Sequence, residues 1–232
     1  MVIRRMDDMK IHPDMLRVQA LFEPCRTLAW EFLSRFQWPW EALPYIGSFI
    51  EEAGAALDSE YNSLPGGIWI HKAAVVAESA HIGGPAIIGP DAQVRHCAFI
   101  RANAIVGRGA VVGNSTELKN VILFDAVQVP HYNYVGDSIL GHKSHMGAGA
   151  ITSNVKSDHS LVSVACGGNR ICTGLMKFGA ILGDHVEVGC NAVLNPGSII
   201  GARATIYPLS LVRGFVPPGS IYKKQGEVVE KH

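Results

Sequence analysis

Aliphatic residues recur every six positions along the middle of the chain, from residue 70 to residue 118. The series consists of Ile70, Val76, Ile82, Ile88, Val94, Ile100, Val106, Val112 and Leu118. Small residues, mostly alanine, follow most of these positions four residues later. Such a period is typical of a parallel β-helix, in which three hexads form one coil and the aliphatic side chains fill the interior. Residues 18 apart should therefore stack on consecutive coils, about 4.8 Å from each other.

The six-residue period breaks at two places, which predict departures from a regular β-helix. It continues through Phe124 and Pro130, but the next clear aliphatic position, Leu140, comes ten residues after Pro130, where twelve would keep the register. The second break covers residues 155–180, where two short apolar runs flank a Gly-containing turn and predict an inserted β-hairpin. The period resumes at Leu182.

The N-terminal segment, 1–66, lacks this period and carries apolar side chains at helical spacing. From Cys25 to Phe36 the spacing predicts an amphipathic helix, with Pro24 suited to its first turn, and a second helix is predicted between Ile46 and Leu57. Because a solenoid has an open, unpaired end, we expect these helices to cover the first coil, although they could also dock another protein. The predicted boundaries are a helical cap at 1–66, a β-helix at 67–232, a hairpin insertion at 155–180 and a tail at 217–232.

Composition and charge narrow the class of protein. The chain has 232 residues, of which 48% are hydrophobic, and this excludes a fully disordered protein. A formal net charge of zero offers no overall field to attract nucleic acid or an anionic membrane. No apolar run approaches the roughly 18 to 20 residues of a membrane span. Five cysteines without C-x-x-C spacing, and an N-terminus without an apolar signal segment, predict a reducing, cytoplasmic location.

Two pairs of polar residues interrupt the aliphatic pattern and are candidates for chemistry. Arg101 and Lys119 are separated by three full hexads, so they should project from the same side of consecutive coils and form an anion site suited to phosphate. His131 and Tyr134 lie where the period slips. Histidine is the side chain best suited to act as a general base on an amine or hydroxyl near neutral pH.

Three segments of the chain resemble one known family. They are GNSTELKN at 113–120, HYNYVGDS at 131–138 and MGAGAITSN at 146–154. Their order and spacing are similar to those of the acetyltransferase domain of bifunctional N-acetylglucosamine-1-phosphate uridylyltransferase/glucosamine-1-phosphate acetyltransferase, and the resemblance covers residues 70–221. The hairpin at 155–180 looks more like archaeal sugar-1-phosphate nucleotidylyltransferases. The resemblance implies a mainly β fold, the left-handed parallel β-helix, with acetyl-CoA as co-substrate, an amino-sugar 1-phosphate as acceptor, and a homotrimer whose sites are shared between subunits.

The same resemblance implies roles for individual residues. His131 would be the general base, and Glu117 could orient its imidazole ring. The residues implied to bind the amino-sugar phosphate are Arg101, Lys119, Tyr134, His145 and Lys177. Those implied to lie along acetyl-CoA are Asn154, Cys190, Pro208 and Lys224. Four of these positions depart from the family: His145 replaces an asparagine, Cys190 a serine and Pro208 an alanine, and Lys224 only lies near the position of a C-terminal arginine.

Other functions stay open beside acetyl transfer. The segment 1–66, before the repeat, contains no Gly-rich nucleotide loop, so we expect no uridylyl transfer, and no metal is expected at the acetyl-transfer site. One alternative is a non-catalytic trimeric scaffold or regulatory partner of a sugar nucleotidyltransferase, which the departures at His145, Cys190 and Pro208 favour. Another is a zinc enzyme similar to γ-class carbonic anhydrases, with His131, His142 and His145 as ligands. The gap of three between the last two is narrower than that family's, which argues against it.

Overall fold

The computed structural model describes residues 11–224 and 227–230, and most of them form a prism of short parallel strands with three faces, named here A, B and C. The strands of face A are Ile68–His71, Ala86–Ile88, Ala104–Val106, Ala180–Leu182, Ser198–Ile200 and Phe215–Val216. Those of face B are Val75–Val76, Gln93–Val94, Val111–Asn114, Gln128–His131, His145–Met146, Glu187–Val188, Thr205–Ile206 and Ser220–Lys224. Those of face C are His81–Ile82, Phe99–Ile100, Ile151–Thr152, Val193–Leu194 and Leu211–Val212. The predicted left-handed parallel β-helix of hexapeptide repeats is confirmed.

Two longer strands and two antiparallel strands complete the prism. Glu117–Leu123 and Tyr134–Leu140 run from face C across the corner onto face A, pairing with strands of both faces. At the first coil, Tyr61–Leu64 pairs antiparallel with the opening strand of face A. At the last coil, Glu227–Glu230 pairs antiparallel with the closing strand of face B. One face at each end of the prism, face A at the first coil and face B at the last, therefore has its sheet edge covered by a strand of the same chain.

The inserted hairpin lies where the sequence predicts it. Its strands, Ser163–Cys166 and Asn169–Cys172, pair antiparallel around Gly167 and Gly168, both of which have a positive φ. The chain leaves the prism after Thr152 and returns at Ala180. The hairpin prediction is therefore confirmed.

Of the two helices predicted before the prism, the structure contains one. The structure has 3₁₀ helices at Pro13–Leu16 and Pro39–Tyr45, and α-helices at Val18–Leu21, Trp30–Leu33 and Ile46–Ala55. The second predicted helix is confirmed by the last of these. The predicted helix over Cys25–Phe36 is wrong, because Cys25 has a φ of 59° and only one α-helical turn forms. Among the described residues, no helix is both long and apolar enough to cross a membrane.

The break in the period lies earlier than the sequence suggests, and it occurs in two steps. Phe99 pairs with Glu117, which keeps the spacing of 18, but Ala104 pairs with Val121, a spacing of only 17. One residue is thus missing between Leu118 and Val121, and the next coil keeps the same spacing of 17. The register predicted through Phe124 and Pro130 is wrong, because the structure pairs Leu123 with Val106 and Val129 with Val112.

Face A is buried on both sides, in contrast to the other two faces. Its outward side chains form a continuous isoleucine ladder, and every member is 0% exposed: Ile87, Ile105, Ile122, Ile139, Ile181 and Ile199. Helix Ile46–Ala55 packs on three of these strands, and the 3₁₀ helix Pro39–Tyr45 packs on a fourth. The N-terminal helices reach the first coil, where Gly54 packs on Trp69, but they pack on its side and not across its open end. They lie along the side of the prism, where they remove the ladder from water.

A group of titratable residues joins the N-terminal segment to the corner between faces A and B. The Asp184 carboxylate accepts hydrogen bonds from the backbone N–H groups of Glu23 (2.6 Å) and His142 (2.7 Å). Burial raises the pKa of Asp184. Burial, followed by the charges of Arg203 and His142, lowers the pKa of His185 beside it.

We predict that this corner makes the fold sensitive to mild acid through His185. Because the pKa of His185 is lowered, the folded protein binds a proton at this residue less tightly than the unfolded chain does. The contribution of neutral His185 to the free energy of unfolding is therefore complete above the ordinary pKa of 6.5 and is lost as the pH falls. Urea unfolding at pH 7.5 and 5.5 should show a smaller loss of stability for His185→Gln than for the natural protein. The raised pKa of Asp184 changes the stability with pH in the opposite direction, but Asp184 is present in both proteins and its effect cancels in the comparison. Equal losses would contradict the prediction.

Candidate functional site

The missing residue in two successive coils creates a distinctive corner between faces C and A. Only Lys119 and Asn120 connect face C to face A in one coil, and only Gly136 and Asp137 do so in the next. Asn120 (φ 55°) and Asp137 (φ 46°) both adopt the left-handed conformation that such tight corners need. We call this pair of stacked turns the short corner.

Asp137 is the centre of the hydrogen bonding at the short corner, and the sequence analysis missed it. Its side chain is only 6% exposed. The carboxylate accepts hydrogen bonds from Lys119 Nζ (3.0 and 3.2 Å), Asn120 Nδ2 (3.0 Å) and Asn154 Nδ2. Asn120 also donates to the backbone oxygen of Leu43, which links the cluster to the N-terminal segment. One buried carboxylate therefore positions both Lys119 and Asn154.

The remaining predicted residues of face C extend this cluster along the coils. Arg101 Nη1 lies 3.0 Å from Glu117 Oε1. Glu117 is paired in register with Tyr134 on the following coil. Burial raises the pKa of Tyr134, as do the negative charges of Asp137 and Glu117, while a hydrogen bond from Asn154 opposes the rise. Arg101, Glu117, Lys119, Tyr134 and Asn154 are thus brought together by the fold.

The predicted anion site formed by Arg101 and Lys119 is therefore neutralised in the structure. The two residues do stack on consecutive coils, since the Arg101 backbone N–H donates to the oxygen of Leu118, directly before Lys119. Each cation, however, pairs with a carboxylate, Glu117 or Asp137. The spacing of 18 predicts the two stacked cations, but it does not predict that Glu117 pairs with Arg101 and Asp137 with Lys119.

His131 lies on a different corner, between faces B and C. Its backbone N–H donates to Asn133 Oδ1 (3.1 Å), its backbone oxygen accepts from Gly149 (3.0 Å), and its side chain is exposed. Cys190 and Pro208 occupy the same corner on later coils, and both are exposed. These three predicted residues form one row. Glu117 does not orient the imidazole here, because its carboxylate pairs with Arg101.

The other three predicted residues, His145, Lys177 and Lys224, belong to neither of these two groups. His145 is on face B, where its Nδ1 lies 2.9 Å from Glu187 Oε2, in a recess of about 370 Å³. Lys177 is exposed at the end of the inserted segment and bridges to Val155. Lys224 lies near the last coil, 3.4 Å from Glu227. His145 and Lys224 therefore lie away from the short corner. The Lys177 backbone lies beside it, because the N–H of Phe178 donates to the Asn154 oxygen and the N–H of Gly179 to the Asp137 oxygen.

Within the described part of the chain, no three His, Cys, Asp or Glu side chains are placed to hold a metal ion. The three histidines considered as zinc ligands have different surroundings. His142 is buried with Nδ1 2.8 Å from the Asp125 oxygen, while His131 is exposed and His145 pairs with Glu187.

Comparison with known proteins identifies the family. The family model described as the GMPPB C-terminal domain matches residues 82–203, which is more than half of the chain. The chain belongs to this family.

Its curated relatives include the bifunctional sugar-1-phosphate nucleotidylyltransferase/acetyltransferase of Sulfurisphaera tokodaii, 31% identical over 64% of this chain and 41% of the relative. Another is the bifunctional protein GlmU of Methanococcus maripaludis, 33% identical over 83% of this chain and 48% of the relative. The chain thus spans less than half of either relative, and the predicted resemblance to these bifunctional proteins is confirmed.

Among solved structures, a hexapeptide transferase family protein from Anaplasma phagocytophilum is similar with a TM-score of 0.41 and 17% identity, over 71% of this chain and 79% of that one.

Proposed function

We propose that this protein transfers an acetyl group from acetyl-CoA to the amino group of an amino-sugar 1-phosphate, with glucosamine 1-phosphate as the first acceptor to test. The observation that carries the proposal is the cluster around Asp137, which positions Lys119 and Asn154, with the exposed His131 close to Tyr134 in the chain. The curated relative from Sulfurisphaera tokodaii supports it, because its name includes both acetyltransferase and sugar 1-phosphate.

In the proposed reaction, the free amine of the acceptor attacks the carbonyl carbon of the thioester. A C–N bond forms, His131 takes the proton that the nitrogen loses, and the C–S bond breaks as CoA leaves as a thiolate that is then protonated. The Asn154 side chain donates one amide N–H to Asp137 and also hydrogen-bonds Tyr134, so its second N–H would stabilise the oxyanion after leaving Tyr134. No cysteine nucleophile is needed in this scheme.

The two ion pairs of the cluster suit different roles in binding the acceptor phosphate. The Arg101–Glu117 pair is exposed, at 49% and 33% of the side chains, and such pairs contribute about 0 to 1 kcal/mol. A phosphate could therefore displace Glu117 from Arg101 at little cost. The Lys119–Asp137 pair is mostly buried and harder to separate. We infer that Arg101 binds the phosphate directly and that Lys119 stays paired with Asp137.

The separation of His131 from the short corner fits a site shared between subunits of a homotrimer. Face A is covered by the chain's own N-terminal segment, which leaves faces B and C for contacts with other copies. Exposed apolar side chains lie on face C and its corner with face B: Phe99 at 41%, Leu211 at 48%, Tyr132 at 65% and Leu209 at 79%. We propose that this surface meets a second protomer and brings His131 of one copy near the short corner of another.

The test of this function is an acetyl-transfer assay with a panel of acceptors. The purified protein is incubated with acetyl-CoA and with glucosamine 1-phosphate, galactosamine 1-phosphate or unphosphorylated glucosamine, and the release of free CoA thiol is followed. Release should depend on the acceptor and be strongest with a phosphorylated amino sugar. Absence of release with every acceptor, from a protein shown to be folded, would contradict the proposal and favour the scaffold alternative.

A further inference from the structure

A cavity of about 430 Å³ lies between the inserted hairpin and the corner between faces C and A, on the coils after the short corner. Its lining residues include three basic side chains, Lys156, Arg170 and Arg213, and one carboxylate, Asp158. We call it the hairpin cavity. It contains none of the residues proposed for acetyl transfer.

The basic residues of the hairpin cavity differ from those of the short corner because, among the described residues, none of them is directly ion-paired. Lys156 is linked to Asp158 only through Ser160, whose Oγ donates to Asp158 Oδ1. Lys156 Nζ donates to Ser160 Oγ and the Leu161 oxygen, and Arg170 Nη1 to Ser163 Oγ. Within the described residues, no ion pair of Arg170, Arg213 or Lys156 is seen, whereas Arg101 and Lys119 each have one. Three cations and one carboxylate leave the cavity lining with a net charge of +2.

The fold holds these cations close to one another. Arg170 is opposite Ala165 in the hairpin ladder. A side-chain carbon added to Gly214, next to Arg213, would lie only 3.0 Å from the Ala165 backbone oxygen, so the hairpin packs directly on the corner. A second recess of about 290 Å³ is also lined by both arginines, so Arg170 and Arg213 border two cavities in common. Like charges that border one cavity repel each other, and an anion between them relieves the repulsion.

We propose that the hairpin cavity binds the phosphate group of a small phosphorylated molecule. Guanidinium groups form paired hydrogen bonds to phosphate, and the lining also offers hydroxyl and amide groups from Ser153, Ser157 and Asn195. The volume exceeds that of inorganic phosphate, so it leaves room for an organic part. Both acetyl-CoA and a sugar phosphate carry this chemistry. The inference does not rest on the proposed acetyl transfer.

Inorganic pyrophosphate is the first probe, titrated calorimetrically into the full chain and into the double variant Arg170→Gln/Arg213→Gln. Each lost charge-assisted contact should lower the affinity about tenfold. Arg95→Gln is the matched control, because Arg95 is exposed and lies far along the chain on another corner. It should bind like the natural protein, and so should His131→Ala, which separates this site from the acetyl-transfer chemistry.

Two further titrations identify the source of the phosphate. If acetyl-CoA binds more weakly to the double variant, the cavity takes the phosphates of the co-substrate. If glucosamine 1-phosphate does so, it takes a sugar phosphate. No pyrophosphate binding by the natural protein, or equal affinity in the double variant, would overturn the proposal. An equal loss in Arg95→Gln would overturn it too, since binding would then follow overall charge alone.

Discussion

Replacement of His131 by alanine is expected to lower the rate of acetyl transfer by about 10²- to 10⁴-fold, the range found for loss of a general base. The side chain is exposed at the corner between faces B and C, so its removal leaves no cavity in the core. The loss should therefore appear in the rate of CoA thiol release, and the thermal unfolding temperature should stay within about a degree or two of the natural protein.

His96 provides the matched control for this substitution. It occupies the same corner two coils earlier and is also exposed, with its Nδ1 near Ser79 Oγ. His96→Ala should keep the acetyl-transfer rate within about twofold. A similar fall in both variants, or an unchanged rate in His131→Ala, would exclude His131 as the base.

Replacement of Asp137 by alanine is expected to lower the free energy of unfolding by about 3 kcal/mol, as when one partner of a buried ion pair is removed. The substitution leaves Lys119 Nζ and two side-chain amides, those of Asn120 and Asn154, without their acceptor. Lys119 retains 25% exposure, so water can solvate part of its charge, and the effect should not exceed this value greatly. Urea denaturation gives the measurement.

Asp91→Ala is the control for backbone effects. Asp91 has a φ of 57°, close to the 46° of Asp137, so alanine meets the same backbone strain at both positions. Its partner, Arg108, is 3.7 Å away and both side chains are about two-thirds exposed, which predicts a loss below about 1 kcal/mol for the ion pair. Equal losses in the two variants would show that strain, and not the buried carboxylate, explains the effect at Asp137.

The sequence predicted the coils well because each inward position makes the same demand for an aliphatic side chain. The register after the short corner could not be predicted, because two adjacent apolar residues compete for each inward position. Leu123 and Phe124 are adjacent, as are Val129 and Pro130, so a single register could not be chosen from hydrophobicity. The structure pairs the first member of each couple with the preceding coil.

The candidate site was only partly predictable for a related reason. Stacked residues such as Arg101 and Lys119 follow from a spacing of three hexads, but Asp137 acts through partners on the coils before and after its own. The helix predicted over Cys25–Phe36 is wrong for a different reason. The Arg26 backbone oxygen accepts a hydrogen bond from the Asp125 N–H, a contact between distant segments that spacing along the chain does not predict. His145 aligns with a family asparagine, and the fold places it on face B, where it pairs with Glu187.

The N-terminal segment along face A changes how the prism should unfold. In a bare solenoid each coil touches only its neighbours, so end coils can open separately from the middle. Here the N-terminal segment contacts the prism at three separate places, in the pairs Gly54–Trp69, Leu43–Asn120 and Trp40–Phe178. It therefore joins coils that are far apart along the axis. Amide hydrogen exchange should consequently show face A strands from several coils opening together as one cooperative unit.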